Sequence, residues 1–324
     1  MIIVLTTRPH RVTHTALAQA TGFDLRMGDY GHCFNARRLP AATYVFADLD
    51  RLDYWALEQA AHLYRQLAAA GLRLLNDPAR SSQRYGLLRR LHEAGINDFD
   101  AWSLSEQRLP TRYPVFLRTA AAHRGILSEL LHTPADLEFS IEQALAAGLP
   151  ERELLVVEYC AEPVRPGLFR KLATFRVGDA LVPAPSVHDD QWVAKNGQRG
   201  IAGPELYAEE ARLVREQPHD DTLRRTFELA RIDYGRADYG LVAGRPQVYE
   251  INTNPQIGTA RQHPDPARSD TIRYCEQRLH AAFAAIDMVG SAARISVEPH
   301  PRHAKRLRKQ RWRRRLGRVV DSRP

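Results

Sequence analysis

The chain has 324 residues, 44% of them hydrophobic and 26% charged, with a formal net charge of +8. That length suits two or three packed lobes with a cleft between them, and no apolar run approaches the roughly 20 residues that a bilayer span needs, which excludes a membrane-spanning reading. Nor is the charge a nucleic-acid signature of the whole chain: residues 295–324 hold 11 Lys or Arg against two acids, which exceeds the net charge of the entire protein and leaves the remainder near neutral.

The opening "MIIVLTTRPHR" lacks the leading positive charge and the longer apolar region of a signal peptide, so it reads as a first strand and the expectation is a cytoplasmic protein. Cys33, Cys160 and Cys275 are far apart without CxxC or CxxH spacing; they imply neither a disulfide framework nor a structural zinc site and are read as buried small hydrophobes. Strand-like "IIVLTT", "ATYVFADLD" and "LRLLND" alternate with helical "THTALAQAT" and "YWALEQAAHLYRQLAAAG", which predicts a small α/β domain over residues 1–80. "ARSSQRYGLLRRLHEAGI" predicts a helix capped by Ser81 or Ser82. "YPVFLRTAA" and "RELLVVEYCA" read as buried strands flanking a helix opened by Thr133 or Pro134. Next come two strands turning at Gly178-Asp179 and a polar loop containing Trp192, Lys195 and Gly197. Two helices follow. A final strand pair turns around Gly244-Arg245-Pro246, and a closing helix is expected to start with Ser269 as its cap. The "VEPHP" stretch reads as a Pro-broken linker to the basic tail.

"ADYGLVAGRPQVYEINTNP" carries the chemistry. Glu250 and Asn252, two apart on a strand, point to one side. Asp238 stands twelve residues before Glu250 on the preceding strand, within reach of that pair. Oxygen donors without His or Cys favour magnesium over zinc, and magnesium held by few carboxylates completes its shell with phosphate oxygens. A lone strand acid would be a solvated face; three such groups in apolar strands that end in Asn254-Pro255 read as a nucleotide-linked metal site.

This stretch resembles the C-terminal signature of the ATP-grasp superfamily, which includes D-alanine:D-alanine ligase, glutathione synthetase and the ribosomal-protein glutamate ligases. The resemblance implies an α/β (α+β) fold: an N-terminal domain over 1–80, two ATP-grasp lobes with antiparallel sheets over 81–160 and 161–290, and a basic disordered or helical tail over 291–324. It implies ATP and two magnesium ions, with Asp238, Glu250 and Asn252 as metal ligands and Glu250 bridging. Arg84 and Arg118 stand where the family commonly has Lys, which keeps the charge but offers a fork to phosphate. Glu158 would accept from the adenine amino group while the backbone of Tyr159 and Cys160 reads the ring edge; Glu162 is the candidate for the ribose. Arg236, two residues before Asp238, and Arg176 are the expected catalytic cations, ahead of Lys171.

Two departures stand out. Where the family often has Gly after Asn-x-x-Pro, this chain has Gln256, with Gly258 two residues on. The phosphate-covering loop reads "RTAAAHRG", with one glycine, Gly125, leaving His123 and Arg124 to contact phosphate or the loop looser than usual. The activity implied is an ATP- and Mg-dependent carboxylate-amine ligase working through an acyl phosphate. The alternatives are a phosphotransferase acting on one small molecule, or a nucleotide-binding protein with a polyanion-binding tail. Expected partners are a small-molecule or peptide carboxylate and an amine, a second copy of the chain in a homodimer, and RNA, the ribosome or an anionic surface for the tail, where Trp312 would add a stacking contact.

Overall fold

The structure, a computed structural model, describes residues 1–305 except 20, 21, 107, 122–124, 196, 199, 259–262 and 289–292. His123, Arg124 and Trp312 lie outside the described residues. The N-terminal domain runs β1 (Ile2–Thr6), α1 (Thr15–Ala18), β2 (Leu25–Asp29), α2 (Tyr30–Asn35), β3 (Arg38–Pro40), β4 (Thr43–Phe46), α3 (Tyr54–Ala69) and β5 (Leu74–Leu75). Its main sheet is parallel in the order β2-β1-β4-β5. Strands covered on both faces need no polar alternation, which is why "IIVLT" and "TYVF" are unbroken buried runs. Asp53 caps α3 by accepting from the Ala56 N–H, and Ala60, Leu63 and Leu67 turn that helix onto Tyr44 and Phe46.

The next segment runs α4 (Arg84–Glu93), β6 (Ala101–Ser103), β7 (Val115–Thr119), α5 (Pro134–Ala146) and β8 (Leu154–Glu158), with an antiparallel sheet in the order β6-β8-β7. Thr133 and Asp136 form a reciprocal capping box at the start of α5. Neither expected serine caps α4. Gln83 holds the cap position without a side-chain bond, Ser81 Oγ donates to the Asp77 carbonyl, and Ser82 Oγ accepts from Arg90.

The third segment runs β9 (Phe169–Val177), β10 (Ala180–Asp189), α6 (Pro204–Glu216), α7 (Asp220–Ala230), β11 (Tyr234–Val242), β12 (Arg245–Asn252), α8 (Pro266–Ile286) and β13 (Arg294–Ser296). Its antiparallel sheet has the order β10-β9-β11-β12. The β11–β12 turn is Ala243-Gly244, both at positive φ (48° and 76°), the backbone a two-residue hairpin requires. Pro246, expected in the turn, is paired inside β12, and is tolerated there because β12 is an edge strand. One face of this sheet, with Leu172, Ala237 and Tyr239, packs on Leu223 and Phe227 of α7. The other carries Phe175, Val177 and Tyr234, which meet Ile2 and Val4 of the N-terminal sheet and Phe283 and Ile286 of α8.

Asp265 caps α8; Ser269 lies within the first turn and bonds the His263 carbonyl instead. The stretch expected to be a linker is part of the N-terminal domain. β13 pairs antiparallel with β3, Val297 is buried with Leu39 and Leu63, and Gln66 exchanges two hydrogen bonds with the Glu298 backbone. The apolar alternation of Ile295 and Val297 outweighs the flanking prolines, and 301–305 are helical. Among the described residues no helix is long and apolar enough to cross a membrane.

Candidate active site

The site depends on a one-residue irregularity. From the turn, Val242 pairs with Arg245 and Tyr239 with Val248; beyond Tyr239 the register shifts, and Asp238 faces Glu250 while Arg236 faces Asn252. In the unshifted register Asp238 would face Tyr249, and Glu250 would fall on the opposite face of the sheet. The bulge at Tyr249 therefore puts Arg236, Asp238, Glu250 and Asn252 on one face. Ala173 of β9 pairs with Asp238, so Lys171, two residues along, shares that face.

Cations outnumber acids here. Arg236 holds Asp238 through two bonds, Nε to Oδ1 at 2.6 Å and Nη2 to Oδ2 at 3.0 Å, and Lys171 Nζ lies 3.3 Å from Oδ2. Arg84, the first residue of α4, donates to Glu250 Oε2 at 2.6 Å, and Arg118 of β7 donates to the same oxygen at 3.1 Å. Burial, with Arg84 alongside, pulls the Arg118 guanidinium down to about 10 against the opposing pull of Glu250. The Nε–H groups of Arg84 and Arg118 are buried with no partner among the described residues. Each such donor costs about 1–3 kcal/mol, and an anionic oxygen in the cleft is the partner that would relieve it.

The charged end opens into an apolar slot between the β7–β8 and β9–β12 sheets, with Phe116, Val157, Tyr159, Trp192 and Tyr249 on its walls. The Trp192 ring lies 4.9 Å from that of Phe116 and 5.4 Å from that of Tyr159. Tyr249, the bulge residue, crosses β11 and donates from its hydroxyl to the Cys160 carbonyl at 3.1 Å. It can do so because residue 240 is glycine: a Cβ there would overlap the Tyr249 hydroxyl. A planar apolar slot ending in a cluster of cations and carboxylates has the form of a seat for a base joined to phosphates.

No family model matches the chain, and no curated protein matches it. Among solved structures it is similar to a RimK domain ATP-grasp protein from Sphaerobacter thermophilus, with a TM-score of 0.50 and 16% identity over 88% of this chain and 99% of that one. It is also similar to the D-alanine-D-alanine ligase from Coxiella burnetii, with a TM-score of 0.50 and 12% identity over 98% and 99% of the two chains. The chain has the ATP-grasp fold. Both neighbours are matched over nearly their whole length, so the ATP-grasp likeness takes in the N-terminal domain as well as the lobes.

Within the ATP-grasp cleft, Arg84, Arg118, Glu158, Tyr159, Cys160, Lys171, Asp238 and Glu250 line one continuous wall. Asn252 shares the sheet face, but its Oδ1 accepts from the Asn254 N–H at 2.8 Å. The Glu158 carboxylate is occupied: it is gripped by Arg112 and accepts from the Asp100 N–H at 3.0 Å. The Tyr159 N–H donates to the Pro114 carbonyl. The Cys160 N–H has no partner among the described residues and stays open to a ligand edge. Glu162 accepts from the Ala243 N–H at 2.7 Å, at the hairpin turn rather than on the slot. Arg176 does not join the cluster. It is an odd number of residues from Lys171 on β9, so it falls on the opposite sheet face, where Nε donates to the Gly178 carbonyl and Nη2 approaches Asp233 at 3.6 Å.

Four contributors were missed. Trp192 and Lys195 of the polar loop line the cleft, and Tyr249 does so only through the bulge. Asp50 comes from the N-terminal domain: the backbone N–H groups of Asp48 and Leu49 dock on Thr253 at 3.4 and 3.2 Å, placing the next residue beside the site. Burial pushes the Asp50 carboxyl up to about 6, with Arg84 opposing and Glu250 reinforcing. No signal in "FADLDR" distinguishes Asp50 from Asp48. Among the described residues no three His, Cys, Asp or Glu side chains converge as a closed metal site. Two hard carboxylates on adjacent strands nonetheless fit a magnesium ion that keeps most of its shell for phosphate oxygens and water.

Proposed function

We propose that this chain is an ATP-dependent ligase that activates a carboxylate as an acyl phosphate and joins it to an amine. The observation that supports it best is the pairing of Asp238 and Glu250 across the bulged hairpin, each already held by two cations at the end of an apolar slot. In the reaction a carboxylate oxygen attacks the γ-phosphorus, the bond to the β-phosphate oxygen breaks and ADP leaves. The amine nitrogen then attacks the acyl carbon, phosphate departs, and the nitrogen loses its proton. Little covalent work falls to the protein; neutralisation and alignment are the task.

Arg84 and Arg118 would exchange Glu250 for phosphate oxygens, satisfying their buried Nε–H groups. Lys171 would bridge Asp238 and the transferred phosphate. Arg236 orients Asp238 with two of its nitrogens. Magnesium, when bound by Asp238 and Glu250 with Asn252 close by, supplies further charge neutralisation between acids and phosphates. The test is ADP release screened over carboxylates and amines, singly and in pairs, with and without magnesium. Dependence on a pair supports the ligase; release needing one acceptor alone identifies a phosphotransferase, and no ATP turnover with any pair overturns both.

A further inference from the structure

A second cavity, of ≈ 550 Å³, lies on the same face of the β9–β12 sheet. An ion pair stands between it and the nucleotide-like cleft: Asp238 lines the cleft, Arg236 lines the cavity, and the two are joined by the bidentate bond described above. With Nε and Nη2 engaged, Arg236 keeps Nη1 without a partner among the described residues. The other walls are mainly apolar, with Leu17 of α1, Phe175 and Val182 of the sheet, Ile257, and Leu279 of α8, and carry Gln19, Glu276 and His280 as their polar side chains. Gln256, the residue that departs from the family pattern, stands at this cavity and not in the cleft.

We infer that this cavity seats the carboxylate substrate, and that the substrate is a monocarboxylic acid with a hydrocarbon body of several carbons. Arg236 Nη1 takes the carboxylate beside Asp238, where the phosphate is transferred; the body fills the space between α1 and α8; Gln256 supplies one polar contact at the exposed rim. A second carboxylate on the body meets Phe175, Val182 and Ala184 on the sheet wall beyond Arg236 and, on α8, the like-charged Glu276 one turn from His280. A charge desolvated against such a wall is disfavoured, whereas each buried methylene strengthens binding. This seat rests on the ligase reading.

The test is calorimetric titration of the full chain with acetate, hexanoate, 3-phenylpropanoate and succinate, with and without magnesium and a non-hydrolysable ATP analogue. Hexanoate and 3-phenylpropanoate should bind at least about tenfold more tightly than acetate or succinate. Ala184→Phe, which fills the cavity from β10, should abolish that preference, with Ala16→Phe doing the same from α1 should the first variant fail to fold. Affinity for the analogue reports folding. Equal affinity across the acids in both arms, a preference for succinate, or a preference that survives both substitutions overturns the seat. Loss of analogue binding to the wild-type chain alone counts against the ligase reading instead.

Discussion

The β9–β12 sheet meets arginines set against glutamates in two regions, the packed edge at β10 and the open cleft, and they differ in what surrounds the pairs. Where α6 and α8 pack against β10, Arg170 donates to Glu209 at 2.9 Å, Arg268 lies 3.3 Å from Glu210, and Glu210 also accepts from the Ser186 N–H and hydroxyl. Glu210 is 1% exposed, and its partners tie β10, α6 and α8 together. At the cleft, Glu250 and Asp238 line open space with Arg84, Arg118, Lys171, Lys195 and Arg236 around them. Ion pairs by themselves mark neither stability nor function. A surplus of one charge that faces a cavity marks a place for a ligand of the other.

The largest effect should separate the two regions outright. Glu250→Gln is expected to lower magnesium-dependent ATP turnover by about a thousandfold, because the loss falls on charge stabilisation in the transition state, and it also costs some stability by leaving Arg84 and Arg118 without their shared counter-charge. Glu210→Gln should cost stability alone. It leaves the half-buried Arg268 without its counter-charge and the Ser186 donors with a weaker acceptor, and should cost about 2 kcal/mol of stability with turnover intact. Parallel ADP-release and urea-unfolding measurements decide it; if folded Glu210→Gln loses turnover as far as Glu250→Gln, the contrast between the regions is wrong.

Adjacent odd and even positions of β9 sharpen the comparison. Lys171→Met should reduce turnover by roughly ten- to a hundredfold, and Arg176→Met should leave it unchanged, since their side chains point to opposite faces. Steady-state rates at saturating ATP distinguish the two. A drop for Arg176→Met equal to that for Lys171→Met would return Arg176 to the site.

This pair also measures how far the site was legible. Asp238 and Glu250 could be picked out because their strands are apolar and bounded by turns, whereas Arg84, at the start of a helix, and Arg118 were legible only through the resemblance to the ATP-grasp pattern. Alternation along β9 was equally available, and counting from Lys171 excludes Arg176 from its face. What could not be read was the bulge: nothing in "QVYEIN" announces that Tyr249 takes the extra position, and without it Glu250 faces away from Asp238. The contribution of Asp50 was hidden for a related reason, since it depends on which loop of one domain docks on Thr253 of another. Local pattern identified the strands and α5 with its Thr133 cap. It missed the serine-free start of α4 and the docking of 294–297, where tertiary packing outweighed serine and proline signals.

A smaller effect is expected from Gly240→Ala. The added methyl displaces the Tyr249 hydroxyl from the Cys160 carbonyl, so one neutral hydrogen bond on the slot wall is lost, worth about 1 kcal/mol, and nucleotide affinity should fall roughly fivefold. Titration with a fluorescent ATP analogue reads this directly. The Lys171→Met variant, by contrast, should bind the analogue within about twofold of wild type if its role lies in the transferred phosphate.

The smallest effect concerns the protonation of the junction between the N-terminal domain and the site. Asp50 has its carboxyl raised by burial from 3.8 to about 6, so between about pH 4 and pH 6 the folded chain holds a proton that the unfolded chain has released. Stability from this group is complete below pH 4 and is lost as pH rises through 6, at no more than about 1.4 kcal/mol per pH unit. His14, buried against Tyr234 and lowered by burial to about 4, works in the opposite sense: its unfolded form takes up a proton near 6.5, so stability falls as pH drops from 6.5 towards 4. The two slopes oppose each other in wild type across that window. Asp50→Asn removes one of them, and urea unfolding of the variant should therefore steepen the acid loss between pH 6 and pH 4 relative to wild type. A variant curve parallel to wild type across that window would mean that Asp50 is not held in the desolvated position beside Arg84 and Glu250.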